Sequence, residues 1–431
     1  MKKRWKIWIA LTVPAVLFAI PSSIAAGEPA EVESPAAEIA EEDETIWTFS
    51  ARIRPRIEGR LNHHFGLDEG DLNYPFQPDE ADQFTQQSRL GVAVEREQLR
   101  GQLTVQHAAT WGDFGGNELT APPLTVYEAW INYQPHDLLF VDVGRFELAY
   151  GDQRVLGAVG WSQVGRTWDG VRARIRPHET VAIDAFAARY VDGEAGFAIG
   201  DSYLTGFYAS VFEPLEDVVE VVDIYVLHDI TDLGRSEAVY LMMVGSRVEV
   251  DVGQVDTTAE GGYQFDVYCE HNGHDCRGVE GTSVRAFFFD TEAGYTVATH
   301  RPFVGVSMAS GDDPESDRFG GYDQLYPTGH AWLGFMDLIG PRTNLFELRA
   351  GLGGQIDRFT YRLTGHHFTR LQPTSESVGV ELNLKIFAKL TDGLDLGVGG
   401  GVFLPAGGIS VNDASPQGVA AWNFAQLVGV F

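Results

Sequence analysis

Between residues 47 and 57 two kinds of side chain alternate: Trp47, Phe49, Ala51, Ile53 and Ile57 share one parity, and Arg52, Arg54 and Arg56 take the other. A β-strand turns successive side chains to opposite faces, so this segment needs an apolar medium on one side and water on the other. Arginine on a lipid-facing position near mid-membrane costs roughly 2–4 kcal/mol. Three on one parity are therefore tolerable only if that parity faces an aqueous interior. The pattern recurs where Val171, Ala173 and Ile175 oppose Arg172, Arg174 and Arg176, and where Phe359, Tyr361 and Leu363 oppose Arg358, Arg362, His366 and Arg370. Leu348 likewise opposes Glu347 and Arg349, and Leu382 and Leu384 oppose Glu381, Asn383 and Lys385.

From Ile46 to Phe431 the chain reads as about 18 alternating segments, an even number of the kind that bacterial transmembrane barrels use. A length of 431 residues would ordinarily suggest two or three domains, but a closed barrel is a known exception. The expected fold is therefore all-β, a transmembrane antiparallel β-barrel over 46–431. Tight joins are expected at 134–137, 176–179, 213–216, 292–294 and 391–393, with longer connections at 62–86, 112–123, 148–167, 270–280, 310–342 and 405–417. Short turns belong on the periplasmic side of such barrels and long loops outside. Trp47, Trp111, Trp130, Tyr133, Trp422 and Phe431 fall near strand ends, where aromatic girdles form.

Ahead of the first strand, Lys2, Lys3, Arg4 and Lys6 precede an apolar run from Ile7 to Ile20 and small residues from Ser23 to Ala26. This has the form of a cleaved signal peptide over 1–26. Residues 27–45, rich in Glu, Ala and Pro, read as a disordered acidic periplasmic tail. The formal charge is −30, and loss of the basic leader makes it more negative, so nucleic acid is an unsuitable partner. The two cysteines, Cys269 and Cys276, are close enough to close a small disulfide loop in an exported protein. With His271 and His274 they also offer four zinc donors, but at a spacing that matches no standard finger. The acidic run from Asp312 to Asp317 lacks a calcium-loop pattern and reads as a solvated loop. No nucleophile elbow, zincin or phosphate-loop motif occurs, so neither an enzyme, nor a metal centre, nor a cofactor is expected.

Two blocks of sequence add a resemblance. Gly144, Arg145, Tyr150, Gly151, Asp152, Gln153, Arg154 and Gly157, followed by Trp161, Arg166, Asp169, Gly170, Val171 and Arg172, form one. The second comprises Leu325 to His330, with Gly334, Asp337, Asn344 and Leu345. Together they resemble the signatures of the alginate export family, although Phe146 stands where that family usually has Gln. The resemblance implies an 18-strand outer-membrane barrel with an arginine-rich conduit for a negatively charged uronate polysaccharide. It matches Arg145, Asp152, Arg154 and Arg172 to charged motif positions without dividing polymer contact from loop architecture.

The sequence thus points to an outer-membrane channel passing an anionic, alginate-like polymer, with Arg52, Arg54, Arg56, Arg145, Arg154, Arg172, Arg174, Arg349, Arg362 and Lys385 as lumen contacts. A guanidinium stays charged and offers a planar fork of donors to carboxylates. Alternatively, these groups pair with luminal Glu58, Glu95, Glu128, Asp184, Glu347 and Glu381 and merely neutralise the wall. Two other functions stay open: a porin for small anions, and an adhesion or surface-structural barrel with a plugged lumen. Expected partners are an anionic polysaccharide or small anions and outer-membrane lipid, with room for a periplasmic export scaffold beneath.

Overall fold

A computed structural model describes residues 45–62, 80–111, 124–190, 202–232, 238–266, 283–313, 315–316, 318–373, 375–407 and 418–431. The leader and tail over 1–44 and both cysteines lie outside the described residues. The strands in chain order are β1 (Ile46–Leu61), β2 (Glu80–Arg96), β3 (Leu99–Thr110), β4 (Thr125–His136), β5 (Leu139–Phe146), β6 (Trp168–His178), β7 (Val181–Tyr190), β8 (Ser202–Leu215) and β9 (Val219–Asp232). They continue with β10 (Ala238–Val252), β11 (Val255–Asp266), β12 (Ser283–Tyr295), β13 (His300–Ala309), β14 (Arg318–Phe319), β15 (Leu345–Ile356), β16 (Phe359–Arg370), β17 (Glu376–Thr391), β18 (Leu394–Pro405) and β19 (Ala420–Val430).

All but β14 form the wall, giving 18 antiparallel strands, each beside its neighbours in sequence. The sheet closes where β1 pairs with both β2 and β19, so Ile57 sits opposite Phe84 on one side and Ala425 on the other. Closure leaves no edge strand and satisfies the backbone without water, the condition for spanning a bilayer with strands. β14 lies off the wall, in parallel register with Ser283 and Val284 of β12.

The expected parity holds. Phe49 is 76% exposed on the outer surface, whereas Arg54 is 2% exposed toward the interior. The termini and the short turns share one end of the barrel, where Phe431 and Ala51 exchange backbone hydrogen bonds, and the long connections share the other. Barrels of the outer-membrane type keep their short turns on the periplasmic side. Turns form where expected near Pro135, Pro177, Pro214 and Gly393. One differs: β12 continues through 292–294 to Tyr295 and turns at 296–299. Ala293 pairs with Val304 across the sheet, and Glu292 faces inward, where Arg301, Arg349 and Arg362 hold it. Trp47, Trp111, Tyr133 and Phe431 are exposed at strand ends as girdle residues should be, but Trp130 and Trp422 turn inward, and Trp422 donates to Glu58.

The interior is not uniformly polar. Inward positions toward the extracellular end carry Leu204 and Tyr208 on β8, Tyr225 and Leu227 on β9, Met243 on β10, and Ala286 and Phe288 on β12. A second apolar group combines Phe368, Phe403, Trp422 and Phe424 of the wall with Leu333, Phe335 and Met336. Apolar residues on a water-facing wall need a cover. The segments 147–167 and 320–344 supply it, folding back into the barrel and seating Leu148, Val155, Leu156, Tyr322, Phe335 and Met336 there. Fully burying one such side chain contributes about 1.5–3 kcal/mol, which fixes these segments at the depth where the wall turns apolar.

Candidate functional site

Below the docked segments, β1 and β2 present a ladder of guanidinium groups. Strand pairing sets Arg52 beside Arg89, and two-residue steps place Arg54 and Arg56 above them on the same face. Their acceptors are mostly uncharged. Arg52 donates to Gln87 Oε1 at 2.6 Å. Arg54 donates to the carbonyls of Gly160 at 2.7 Å, Trp161 at 3.1 Å and Ser162 at 2.5 Å, and to Gln163 Oε1 at 3.0 Å. Arg89 donates to Gln106 Oε1 and to the Val164 carbonyl, with its guanidinium 3.4 Å from the Tyr127 ring centroid. Arg56 donates to the Trp161 carbonyl and lies over that indole, and it alone of the four pairs with a carboxylate, Glu58, at 2.7 Å. Among the described residues no carboxylate comes within 4.0 Å of Arg52, Arg54 or Arg89. This stretch of wall therefore carries guanidinium groups oriented by neutral oxygens, with Glu147 of the first docked segment, which accepts from the Tyr127 hydroxyl, acting on Arg52 and Arg89 from beyond ion-pair distance.

Most of the other wall cations face carboxylates. Asp142 takes both Arg172 and Arg174 at 2.9 Å. Asp290 takes Arg154 and Arg349 at 2.8 Å, with Arg342 at 3.9 Å. Glu292 takes Arg301, Arg349 and Arg362, while Glu347 is shared by Arg349 and His366. Arg247 bridges Asp152 of the docked segment to Asp223 of β9, both at 2.7 Å. Lys385 instead lies over the Phe335 ring at 2.9 Å, with no carboxylate in salt-bridge range among the described residues. The two sequence readings thus divide the site between them: Arg172, Arg174, Arg349 and Arg362 neutralise wall carboxylates, whereas Arg52 and Arg54 do not.

The docked segments also hold each other. Gly157 N donates to Tyr326 O at 2.8 Å, Tyr326 N to Val155 O at 3.0 Å, and Thr328 N to Gln153 O at 2.9 Å, a short parallel pairing inside the lumen. Gly157 is required there, because a Cβ would collide with Thr328 Oγ1 and its main-chain nitrogen. Trp161, at the tip of the first segment, stacks on His330 of the second with ring centroids 4.3 Å apart and meets Phe424 of the wall edge-on. Arg154 crosses the same junction, lying 3.6 Å from the Trp332 ring centroid while paired with Asp290. The second segment is pinned from β17, where Glu381 Oε1 accepts from the backbone nitrogens of Phe335 and Met336.

A profile of the alginate export family matches residues 48–398. The chain belongs to that family. No curated protein sequence matches it. Among solved structures, Pseudomonas aeruginosa OccK2 (OpdF) in complex with glucuronate is similar in fold, with a TM-score of 0.62 at 10% identity over 89% of this chain and 98% of that one. The P. aeruginosa outer membrane protein OpdK gives 0.61 at 10% identity over 90% and 98%, and Acinetobacter baumannii OccAB4 gives 0.58 at 10% identity over 90% and 99%. At such identity the likeness concerns fold alone. Family and fold are those of outer-membrane channels and porins, and the bacterial outer membrane is the location.

The central part of the first alginate export block and most of the second map onto the docked segments. Asp152, Gln153, Arg154, Gly157 and Trp161 build one half of the junction, and Tyr326, Thr328 and His330 the other. Arg145 requires a correction. It shares the parity of Val143, which is 51% exposed on the outer surface, and not that of Asp142, 1% exposed on the inner one. It is not a lumen residue; it makes a two-pronged pair with Asp169 at 2.7 and 2.8 Å beside the extracellular rim. Sequence reading also missed Arg89, Arg166, Arg247, Arg301 and Arg342. For Arg89 a signal existed, since it alternates with Leu90 and Val92 on β2.

Acid should loosen the junction through His330. Burial holds its imidazole below the ordinary 6.5, and nearby Lys385 and Arg56 add to that, against the opposing pull of Asp337 2.8 Å away. The docked state binds fewer protons than the released one, so docking is fully favoured above pH 6.5 and weakens as pH falls below it. Open probability in a planar bilayer should rise below pH 6.5, by at most about tenfold per pH unit. His330→Gln should flatten that rise; an unchanged acid response in the variant would assign it elsewhere.

Proposed function

We propose that the barrel passes an anionic uronate polymer of the alginate type across the outer membrane, with segment 159–165 as a gate latched on the Arg52, Arg54 and Arg89 ladder. The observation that carries this reading is the identity of the ladder's acceptors. Carbonyl and amide oxygens hold the guanidinium groups in place, with no carboxylate paired directly to Arg52, Arg54 or Arg89 among the described residues. A carboxylate offers the same donors two oxygens and a full opposite charge, so a uronate chain competes for them directly. Each sugar unit can take over one rung and pass it on, because binding at any rung is limited by water and by the loop that reclaims it. The family assignment and the glucuronate-bound neighbour OccK2 support an acidic sugar as the ligand class.

A porin for small anionic solutes is the second reading, favoured by the segments that fill much of the lumen and by the fold's likeness to Occ porins. Both readings invoke the same ladder and differ in ligand length. In planar bilayers, oligouronates added to the refolded protein should interrupt the current in discrete events, with dwell times that lengthen with chain length and shorten at high salt. Neutral oligosaccharides of equal length should give none. Steady small-anion current with no length-dependent block would favour the porin; cation preference without block would contradict both.

A further inference from the structure

Strands β5, β6 and β7 are 8, 11 and 10 residues long, close to the roughly 9–11 that a tilted transmembrane strand needs. Their last outward residues therefore lie where the apolar membrane core gives way to outer-leaflet headgroups. There the register sets Arg145 beside Asp169, Asp169 beside Arg189, and Arg189 beside Tyr203 of β8, in one outward-facing row. Two guanidinium groups thus flank a single carboxylate, a surplus of positive charge. Both are accessible: the Arg145 side chain is 28% exposed, and Arg189 is exposed between the inward Ala188 and Tyr190. One step down the same strands the outward residues are Val143, Val171 and Ala187, and two steps down Ala173 faces Ala185. With only a methyl group at 173, 185 and 187, the lipid-facing surface is recessed below the row, between Val143, 51% exposed, and Phe207, 63% exposed.

We infer that this face binds one phosphorylated glycolipid of the outer leaflet, with its headgroup phosphate on Arg145 and Arg189 and an acyl chain in the alanine recess. Asp169 accepts from Arg145 Nε and Nη2 at 2.7 and 2.8 Å, and the Val126 carbonyl accepts from Nη1 at 3.1 Å. The guanidinium is thereby fixed in one plane, with two of its five N–H bonds left for another acceptor. A phosphate supplies several charged oxygens at once, and charge-assisted bonds to it are the strong kind. Asp169 by itself would repel such a group; the guanidinium on either side outweighs it. A second copy of the chain meeting this face by twofold symmetry would set the same positive surplus against itself, so charge favours an anionic lipid as occupant. Free phosphate would meet the arginines but leave the recess unfilled. The site lies on the opposite side of the wall from the lumen and does not depend on what passes through.

Native mass spectrometry of the refolded full chain in neutral detergent, titrated with a bisphosphorylated diglucosamine lipid, counts bound lipid and gives its affinity. The same lipid stripped of phosphate, and inorganic phosphate, are the comparison probes. A saturable adduct of a single lipid is expected, about tenfold or more tighter with phosphate than without. Arg145→Gln and Arg189→Gln should each weaken it about tenfold, as the loss of one charge-assisted hydrogen bond implies. Ala187→Leu keeps both guanidinium groups and adds an apolar side chain on the lipid-facing surface, so the barrel should fold with the recess filled. It should weaken binding about fourfold, the equivalent of one displaced methylene. Equal affinity for the two lipid forms, or wild-type affinity in both arginine variants, would overturn the site. Unchanged affinity in Ala187→Leu would overturn the acyl recess, and inorganic phosphate displacing the lipid at equal concentration would overturn the lipid as ligand. Dimers in the same spectra without bound lipid would make this face an interface between copies and overturn the proposal.

Discussion

Arg54→Ala should convert a largely closed pore into a largely open one. The side chain makes four hydrogen bonds to the tip of the first docked segment, more than any other ladder residue gives it. Hydrogen bonds to charged groups contribute about 1.5–3 kcal/mol each but do not add, so a net loss of about 3 kcal/mol is expected for the latch. At 1.4 kcal/mol per decade that is roughly a hundredfold change in the closed-to-open ratio. Single-channel recording of wild type and variant measures it, and Arg54→Lys should recover only part of the closed state, since an ammonium cannot match the planar fork. An Arg54→Ala channel that dwells closed as long as wild type would show that the ladder does not hold the gate.

The largest loss of stability is expected at Asp290. This carboxylate, on β12, lies among Arg154 from one docked segment, Arg342 from the end of the other and Arg349 from β15. Removing one partner of a buried ion pair costs about 3–5 kcal/mol, because the remaining charge stays desolvated without compensation. Asp290→Ala leaves Arg342 with no carboxylate in salt-bridge range among the described residues and removes the closest partner of Arg154. Thermal unfolding in detergent should therefore move to distinctly lower temperature, with the docked segments becoming protease-sensitive before the wall melts. The double variant Asp290→Ala, Arg154→Leu should recover part of the loss, since it removes a charge along with its partner. A melting profile indistinguishable from wild type would contradict this hub.

Most of the wall was legible in the sequence because one physical rule governs it. Lipid on one side and water on the other impose period two on every strand, and β1 was read over the residues it occupies, Ile46–Leu61. The same rule turns Arg145 of β5 outward with Val143, whereas a signature match says nothing about facing. At 292–294 the composition is turn-like, yet Glu292 alternates with Ala293 as a strand residue does. The docked segments obey no period. Nothing in 148–167 states that Trp161 will meet His330 169 positions later, because that contact depends on the inner wall's apolar patch, assembled only when the barrel closes. The best available hint was inward apolar residues such as Leu204, Leu227 and Met243, which a water-filled pore has no reason to display.

Guanidinium groups without a directly paired carboxylate line the passage of an otherwise acidic protein with a formal charge of −30. The reversal potential across a planar bilayer under a salt gradient tests this most directly, for wild type and for a triple variant with Arg52→Gln, Arg54→Gln and Arg89→Gln. The wild-type channel should favour anions, and the variant should lose that preference or reverse it. A cation-selective wild type, or a variant with undiminished anion preference, would contradict the account.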